Sequence, residues 1–588
     1  MNDNSKRLAM AIVLSVIVTV MYMNMFVPKP IVNNQNLNNV QATNQASVNQ
    51  ANVANNQVAN QNLNINNVNN NNANSNSNPV KVNNNVEKQR IPTLEELREA
   101  SKKFITNVAE IEISELGGRI ISYKLRKYHK AVDSQELVEL IDVKPNGLYP
   151  LALIYDNGKR DDLVKYSFSI NSNNVNKIDE NTFEIQGDAQ IVLTSDADNL
   201  KKVITLKTDS YLFDVSFPTL SNTDNAWIEW NNALNNIDID RYNEFSILYL
   251  LRDKKTNVDS INSYKLPSDY APIVDLGDNI WLSAGYKYFA NILIPQAAGN
   301  NTRYGVINGN LVLQGKLSSE SKNIKVYAGP RDKDILVNEG YSLEKSINFG
   351  FFTFIAAPLH SVLKFFYKIL GNYGLAIILL TLVIKLLFLP LTSTSIKSMK
   401  KISDLQPKMQ ELRNKYGKDP AEMQRQTMEL YKKYNVNPLS GCVPIFIQIP
   451  VFFGLYSALL NSIDIRQAPF ALWITDLSVK EELHVFGIGV PVMILLMGLS
   501  MFIQQLTTPT VGDPAQRKAM LITPIIFTVI FIVSPFPSGL VLYWLTNNLI
   551  SIVQQKVLKA EGDKISPLKG TLIGSAVIYG LAYILTLL

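Results

Sequence analysis

The chain has 588 residues, of which 46% are hydrophobic, a formal net charge of +6 and a single cysteine. This length allows several domains, the mild charge does not favour a nucleic-acid binder, and one cysteine excludes an internal disulfide. Cys442 begins an apolar segment without nearby ligand residue types, which indicates a buried small residue.

The N-terminal region combines an apolar run with a polar one. Lys6 and Arg7 precede an apolar run from Leu8 to Val27, which exceeds a signal-peptide core of roughly 7 to 15 residues. No convincing small-x-small cleavage site follows, so we predict a transmembrane anchor over residues 1–28 with its N-terminus in the cytoplasm. Residues 29–90 are dominated by Asn, with Gln, Val, Ala and Ser, which predicts a disordered linker.

Residues 91–346 show the period-two hydrophobic pattern of β-strands. Tyr211, Phe213, Val215 and Phe217 place an apolar side chain at every second position, and many such runs separated by Asn, Asp and Gly predict a large all-β sandwich. Because this domain follows an anchor with a cytoplasmic N-terminus, we expect it outside the cytoplasmic membrane. Thr93 followed by Glu96 fits a capping box and predicts a helix from Thr93 to Lys103.

Residues 347–370 are rich in aromatic side chains. His360, Lys364 and Lys368 are spaced by four, which places their polar groups on one helical face. We predict an amphipathic helix in the membrane interface, with His360 as a structural residue that faces the headgroups.

Residues 371–560 contain five apolar segments, which predict a helical membrane core. These segments cover residues 375–391, 443–460, 488–506, 520–533 and 540–557. The loop 393–440 between the first two carries ten basic residues against five acidic ones, so the positive-inside rule places it in the cytoplasm. Its apolar residues recur at three- and four-residue intervals, Gly417 stops that pattern and Asp419-Pro420 starts another, which predicts a helical hairpin. Successive membrane segments cross in opposite directions. We therefore predict that the loop 461–487 and the turn 535–539 are external and that the loop 507–518 is cytoplasmic.

Lys385 carries a charge inside the first apolar segment, whereas the later segments contain no Asp or Glu. An unpaired ammonium in hydrocarbon costs roughly 3 kcal/mol, so we predict that Lys385 faces water in a groove or cavity. Thr381 lies one helical turn away on the same face. Other segments contribute the polar residues Gln448, Gln504, Gln505, Asn547 and Asn548 and the aromatic residues Tyr543 and Trp544.

Simpler interpretations of these residues remain open at this point. Lys385 lies five residues before Pro390, within reach of the cytoplasmic interface for a snorkelling side chain. Thr381 and the amides are also typical of hydrogen bonds between membrane helices. Tyr543 and Trp544 are typical of an interfacial aromatic belt.

Three long motifs resemble the YidC/Oxa/Alb membrane protein insertase family. They are Asn437-Pro-Leu-Ser-Gly-Cys-Val-Pro-Ile-Phe-Ile-Gln-Ile-Pro-Val-Phe-Phe-Gly-Leu-Tyr456, Arg466-Gln-Ala-Pro-Phe-Ala-Leu-Trp-Ile-Thr-Asp-Leu477 and Phe536-Pro-Ser-Gly-Leu-Val-Leu-Tyr543. Gln406-Pro407-Lys408 in the hairpin also fits, and the resemblance covers about residues 349–556. An anchor plus a large external domain is similar to the Gram-negative members, whose external domain resembles the sugar-mutarotase supersandwich.

The resemblance implies a multi-domain membrane protein with an N-terminal anchor helix, a five-helix transmembrane core and an all-β periplasmic supersandwich. The core surrounds a hydrophilic groove that opens to cytoplasm and lipid. Lys385 occupies the position of a positive residue that is usually arginine. Lysine keeps the charge but lacks the planar guanidinium group of arginine. Trp544 stands where tyrosine is common.

The implied site residues fall into three groups. The substrate groove would contain Lys385, Thr381, Gln448 and Asn547, and the substrate slide would contain Tyr543 and Trp544. The cytoplasmic hairpin, which would meet substrate, ribosome or targeting factors, would use Lys397, Lys400, Lys401, Gln406, Lys408 and Arg413.

The implied function is that of an insertase and chaperone for nascent integral membrane proteins in the bacterial inner membrane, alone or with the Sec translocon and the ribosome. No cofactor, metal or catalytic residue is expected, and no nucleic-acid specificity. His129 is the only histidine of the β domain, whereas mutarotase chemistry uses a pair, so we expect no carbohydrate catalysis. A transporter or channel, or an assembly factor that acts through its external domain, is the alternative. The oligomeric state stays open, and a monomer is compatible with this function.

Residues 561–588 depart from the family pattern. The family often ends in a basic cytoplasmic tail, whereas Gly570 to Leu588 is apolar and of nearly spanning length. If this segment spans the membrane, the residues after it are external, and ribosome contact through a tail is not expected.

Overall fold

The computed structural model describes residues 90–587, apart from 142–147, 198, 224, 234–245, 254–257, 262–265, 267–269, 300, 438–442, 509–513, 535 and 561–566. The predicted anchor, nearly all of the predicted linker and Cys442 lie outside the described residues.

The first described element is the short helix α1, Leu94–Glu99. The Thr93 side chain accepts a hydrogen bond from Glu96 N and the Glu96 side chain accepts one from Thr93 N, which is the predicted capping box. The predicted extension of this helix to Lys103 is wrong, because Ser101–Ile105 is strand β1, which pairs with β2 and β8. Tertiary pairing of Phe104, which is fully buried, overrides the local helical pattern.

The β domain contains nineteen strands in two sheets within the described residues. Their bounds are β1 Ser101–Ile105, β2 Ala109–Ser114, β3 Ile120–His129, β4 Leu137–Glu139, β5 Ala152–Tyr155, β6 Tyr166–Asn171, β7 Val175–Lys177, β8 Thr182–Ile185, β9 Ala189–Ser195, β10 Lys201–Leu206, β11 Leu212–Ser216, β12 Ala226–Ala233, β13 Ser246–Leu251, β14 Val258–Ile261, β15 Ala271–Gly285, β16 Phe289–Pro295, β17 Asn301–Ile307, β18 Asn310–Lys316 and β19 Asn323–Pro330.

One sheet has six strands in the order β4-β3-β2-β1-β8-β7. The other has the order β5-β12-β18-β17-β15-β16-β19-β11-β10-β9-β6. In addition, β13 pairs with β15, and β14 pairs with β13. The long strand β15 pairs with β17 through its first half and with β13 and β16 through its second half. The predicted alternation is observed in β11, where Phe213 and Val215 are buried. These residues belong to one continuous apolar core, so the period-two pattern predicted this domain correctly.

The helical region follows the β domain. Helix α2, Lys333–Glu339, belongs to the β domain, whose core includes its Leu336. The helices of the region that follows are α3 Thr353–Leu370, α4 Tyr373–Leu387, α5 Leu389–Asp404, α6 Gln406–Tyr416, α7 Pro420–Lys433, α8 Val443–Leu460, α9 Val492–Thr507, α10 Pro514–Val533, α11 Ser538–Ala560 and α12 Pro567–Leu587. Between α8 and α9 a small hairpin pairs β20, Leu483–Val485, with β21, Ile488–Val490. The apolar run predicted from residue 488 is therefore split, and its first three residues form a strand.

The helices enclose a second apolar core. Helix α3 packs on α4 and α8, α9 packs on α10 and α11, and α4 packs on α11. Glycines permit two of the close helix contacts: a Cβ on Gly498 of α9 would lie 2.1 Å from Thr528 Oγ1 of α10, and one on Gly454 of α8 would lie 2.6 Å from Ile355 of α3. Small residues at such contacts are typical of membrane helix pairs.

Two described helices, Gly350–Leu370 and Gly570–Leu587, are long and apolar enough to cross a membrane, or three if the bent pair Tyr373–Leu387 and Leu389–Asp404 forms one span. Gln448–Leu460, Val492–Thr507 and Met520–Val533 are shorter apolar helices. Helix α11 contains Asn547, Asn548 and Gln554, which lower its hydropathy. Because Gly350–Leu370 meets the length and composition of a span, its interfacial placement stays a prediction.

The β domain and the helical region meet at a charged junction. Lys364 Nζ of α3 lies 3.4 Å from Asp332 Oδ1 and 3.1 Å from Asp334 Oδ2 at the start of α2, and 3.3 Å from Asp464 Oδ1 in the loop after α8. His360 Nε2 lies 2.9 Å from Ser462 Oγ and 3.2 Å from Asp464 Oδ2. Burial by itself would raise the pKa of Asp464, but His360 and Lys364 lower it.

A second contact crosses the same junction. Arg466 Nη2 and Gln467 Nε2 both donate to the carbonyl oxygen of His129 in β3, at 2.8 and 2.9 Å. The first two residues of the 466–477 motif therefore bind the β domain to the helical region.

Candidate functional site

Lys385 lies in the last turn of α4, just before a sharp bend. Helix α4 ends at Leu387, and α5 leaves it at an angle of 63°. The predicted continuous helix to Leu391 is therefore wrong. Pro390 lacks an amide N–H and disfavours helical backbone in the residue before it, so a new helix begins there with proline in its first turn.

The Lys385 ammonium is bound by a hydroxyl rather than a carboxylate. Its Nζ donates to Ser551 Oγ of α11 at 2.7 Å. Within the described part of the chain Lys385 forms no ion pair, and its side chain is only partly buried. The structure therefore gives the Lys385 ammonium a hydroxyl partner, and its exposure to water in a groove stays a prediction.

A string of hydrogen bonds continues from this contact across three helices. Ser551 Oγ donates to the Asn547 carbonyl oxygen of the same helix at 2.8 Å, and Gln448 Nε2 of α8 donates to Asn547 Oδ1 at 3.1 Å. We call Lys385, Ser551, Asn547 and Gln448 the polar string. It joins α4, α11 and α8 and includes three of the four predicted groove residues.

Thr381 is the fourth predicted groove residue. It is buried, and its Oγ1 donates to the Ile377 carbonyl oxygen within α4 at 2.7 Å. Its hydrogen-bonding hydroxyl is thus used by its own helix, and the structure does not join Thr381 to the polar string by a hydrogen bond.

The two predicted slide residues have different environments. Tyr543 is almost completely buried in the helical core. Trp544 is partly exposed and contacts Phe452 of α8 with ring centroids 4.8 Å apart and Phe531 of α10 with centroids 5.3 Å apart. Trp544 therefore bridges α8, α10 and α11, whereas Tyr543 faces the interior.

The predicted cytoplasmic hairpin consists of α5, α6 and α7. Helices α6 and α7 pack together, and Ile402, Leu405 and Tyr431 form a small apolar cluster. Lys397, Lys400, Lys401, Lys408 and Arg413 are exposed, and Gln406 is partly buried. The Lys408 ammonium donates to the Tyr434 hydroxyl. The hairpin thus presents a basic surface.

Sequence reasoning missed the hydroxyl that binds Lys385. Ser551 lies four residues after Asn547, on the same face of α11, so extending the pattern by one turn would have found it. It also missed two contacts between helices: Asn548 Nδ2 donates to Ser500 Oγ at 3.0 Å, and Gln554 Nε2 donates to Thr571 Oγ1 at 2.5 Å. Single serine and threonine residues in apolar segments carry no distinctive sequence signal.

The site and the fold together define a protein with a large β domain followed by a region of apolar helices, in which a partly buried polar string joins three helices. Comparison with known families agrees: residues 102–362 match the YidC periplasmic domain, and residues 365–564 match the 60Kd inner membrane protein family. The chain belongs to the YidC membrane protein insertase family.

Individual relatives support this assignment. The membrane protein insertase YidC of Syntrophus aciditrophicus is 36% identical over 467 residues, which cover 76% of this chain and 82% of the relative. That of Citrifermentans bemidjiense is 45% identical over 327 residues, which cover 53% of this chain and 58% of the relative. The chain thus spans little more than half the length of some of the relatives it matches.

The chain is also similar to a crystal structure described as an active YidC insertase with the first transmembrane domain resolved. The matched residues cover 78% of this chain and 91% of the chain in that structure. Its sequence is 20% identical, with a TM-score of 0.35.

Proposed function

We propose that this protein inserts nascent integral membrane proteins into the bacterial inner membrane and assists their folding. The observation that carries the proposal is the Lys385 ammonium, which is held by Ser551 at 2.7 Å without a carboxylate partner among the described residues. Membership in a family whose relatives are named insertases supports the same function. In this proposal the polar string is one wall of a hydrophilic groove.

Lys385 attracts the acidic or polar external segment of a substrate into the groove. Its attraction for a negative group is stronger than in water because the surrounding helices lower the local dielectric constant. Gln448 and Asn547 supply amide groups that can hydrogen-bond a polar backbone on its way through the membrane.

The apolar helix of the substrate then leaves sideways into lipid. Trp544, which is partly exposed between α8 and α10, is the contact residue of this exit, and Tyr543 supports it from inside the core. Burial of apolar surface at about 25 cal/mol per Å² drives the transfer, so neither nucleotide nor cofactor is needed. We propose that the protein acts as an insertase and not as an enzyme.

The other regions serve this core. The basic hairpin 393–440 receives the substrate or contacts the ribosome, and the Sec translocon is a partner for a share of the substrates. The domain plan is an anchor at 1–28, a linker at 29–90, a periplasmic β domain at 91–346, an interfacial helix at 347–370, the insertase core at 371–560 and an apolar extension at 561–588.

The test is insertion by the purified protein in liposomes without nucleotide, measured as protease protection of a short single-spanning substrate. We expect Lys385→Ala to reduce insertion at least tenfold and Lys385→Arg to keep it. Ser551→Ala should reduce insertion about fivefold or more, since a lost hydrogen bond to a charged group is worth roughly 1 kcal/mol or more.

Lys368→Ala is the matched control, because it removes an exposed lysine from α3 without touching the polar string. Full insertion by Lys385→Ala would contradict the groove mechanism and leave Lys385 as a snorkelling anchor. No insertion by the wild-type protein would contradict independent insertion.

A further inference from the structure

The hairpin β20–β21, which begins in the loop predicted to be external, is an amphipathic ribbon. Its register pairs Leu483 with Val490, His484 with Gly489 and Val485 with Ile488. Because side chains alternate across a strand, directly opposed residues lie on the same face. One face therefore consists of Leu483, Val485, Ile488 and Val490, and the other carries His484 and Gly489.

The polar face is extended at its base by Glu482. A Cβ on Gly489 would lie 2.5 Å from Glu482 Oε2, so this carboxylate lies over the glycine. Glu482 also pairs with Lys480 at 3.1 Å. Charged groups are thus present on the polar face, whereas the opposite face is aliphatic throughout.

The apolar face is exposed in its half nearest the tip, whereas Leu483 and Val490 at its base are partly buried. Ile488 is 68% exposed and Val485 is 41% exposed. Phe486 at the tip is 100% exposed. None of the ribbon residues belongs to either large apolar core. Isolated two-stranded ribbons are marginally stable in water, so contact of this face with an apolar environment would stabilise the ribbon.

The tip itself is unusual for a hairpin turn. Phe486 has φ +52° and Gly487 has φ +81°. A two-residue turn with both angles positive favours Asn-Gly or Asp-Gly, because a side chain such as phenylalanine is disfavoured there. The chain therefore places a large aromatic group at a position where a small polar residue would fit the backbone better.

The base of the ribbon is fixed to the helical region. Trp473 Nε1 donates to Glu481 Oε2 at 2.7 Å, and Met493 N at the start of α9 donates to Glu481 Oε1. Pro491 alone separates β21 from α9. The ribbon is thus held beside the first turn of α9 and cannot turn away freely.

We propose that the ribbon lies on the outer surface of the lipid bilayer, with its apolar face and Phe486 inserted at the boundary of headgroups and acyl chains. Leu495, Leu496 and Leu499 of α9 are exposed within two turns of the ribbon, so the helix that directly follows the ribbon also presents an apolar surface. An aliphatic face with one aromatic tip and a charged opposite face is the pattern of an interfacial element. The proposal requires α9 to lie in the membrane and does not depend on insertase activity.

The test places a polarity-sensitive thiol dye at the tip. Phe486→Cys is labelled in a Cys442→Ser background, and the protein is reconstituted in vesicles of phosphatidylethanolamine and phosphatidylglycerol. His484→Cys, on the polar face, is the matched control. We expect the label at 486 to emit at shorter wavelength, to be quenched by lipids that carry a shallow spin label, and to be at least threefold less accessible to aqueous iodide than the label at 484.

Three results would overturn the proposal. Equal iodide access at 484 and 486 would mean that the tip lies in water. Protection from iodide without quenching by spin-labelled lipid would mean that a protein covers it. Protection that disappears when the protein is diluted in lipid would assign the face to a second copy of this chain.

A second labelling site tests whether the side chain at the tip holds the whole ribbon in lipid. Ile488→Cys reports on the same face, and Phe486→Ser should shift its emission towards that of water, whereas Phe486→Leu should not. Unchanged emission at 488 in Phe486→Ser would contradict a role of the tip in holding the ribbon in lipid.

Discussion

Asp162 belongs to a cluster of charges buried inside the β domain. Arg119 Nη2 donates to Asp161 Oδ1 at 2.6 Å and to the Asp162 carboxylate, and Arg160 Nε donates to Asp162 Oδ2 at 2.6 Å. Lys202 Nζ, which is completely buried, donates to Asp161 Oδ2 at 2.9 Å. Each buried charge thus has an opposite partner, which is the condition under which such charges are tolerated.

This cluster predicts acid sensitivity. Burial by itself would raise the pKa of Asp162, but Arg119 and Arg160 lower it to about 2, whereas an unfolded aspartate titrates near 3.9. The folded state therefore binds fewer protons than the unfolded state between about pH 4 and pH 2. Asp162 should contribute about 2 kcal/mol of stability above this window and lose it as the pH falls through it.

Thermal unfolding of the full chain in detergent, followed by tryptophan fluorescence at pH 7, 4 and 2.5, measures this effect. We expect Asp162→Asn to be less stable at pH 7 and to lose less stability on acidification than the wild type. Asp188→Asn, which removes an exposed carboxylate, should follow the wild type. An Asp162→Asn profile with the wild-type slope would show that other carboxylates govern acid unfolding.

At the same residue scale, Lys385 shows what a sequence can and cannot predict. Its charge and the lack of carboxylates in the other apolar segments identify it directly. The bond to Ser551 depends on the packing of α4 against α11, which no local pattern encodes. Conversely, Thr381 has the correct spacing, but its hydroxyl bonds its own backbone.

Helix α12 lies after the residues that match the family model, and it packs on the helical core. It packs on α11, α4 and α5. Gly570, Thr571, Gly574, Ser575 and Ala582 are buried, whereas Leu572, Ile573, Val577 and Leu581 are exposed. A seam of small residues on one side and large apolar residues on the other is typical of a membrane helix with one protein-facing side.

Gly574 should be essential for this docking. A Cβ there would lie 2.9 Å from Val553 of α11, whereas a Cβ on Gly580 of the same helix would meet nothing within 4 Å. We therefore expect Gly574→Ile to separate α12 from α11 and Gly580→Ile to leave the contact intact. The measurement is cross-linking of Gln554→Cys with Thr571→Cys by a short thiol reagent in a Cys442→Ser background.

The yield should fall several-fold in Gly574→Ile and stay at the parent level in Gly580→Ile, since overpacking of a tight contact costs about 1–3 kcal/mol. Equal yields in both variants would show that α12 tolerates a side chain at 574 and that the small-residue seam does not set the contact.

Elements were predicted well where one pattern ran unbroken and poorly where it changed. The strands near 211–217 and the capping box at Thr93 follow from local patterns and are observed. The segment predicted from residue 488 joined a strand to a helix, because β21 and α9 are both apolar and only Pro491 marks the change. Apolar content alone does not distinguish a short strand from the start of a helix.

At the scale of the whole molecule, the charged junction is one of the contacts that join the β domain to the helical region. Lys364 is its centre, because its ammonium faces Asp332 and Asp334 from the β-domain side and Asp464 from the loop after α8. Its side chain is 15% exposed. The sequence showed Lys364 only as one residue of an amphipathic face, since its three partners lie 30 to 100 positions away in the chain.

We predict that Lys364→Met weakens this junction without unfolding either region. It would leave three carboxylates close together without their shared cation, and the loss of one partner from a largely buried ion pair costs about 3 kcal/mol. Limited proteolysis between residues 340 and 352 in liposomes, with the external side accessible, should become several-fold faster. Lys368→Met, one turn further along α3 and exposed, is the matched control and should be cleaved at the wild-type rate.

A charge exchange tests whether the effect comes from the ion pairs. Lys364→Glu should accelerate cleavage more than Lys364→Met because it adds a fourth negative charge. Lys364→Glu combined with Asp464→Lys should recover part of the protection, since it restores a cation between the carboxylates of α2 and α3. The Arg466 and Gln467 bonds to the His129 carbonyl oxygen remain in all these variants, so cleavage at the wild-type rate in Lys364→Glu would assign the junction to those two residues instead.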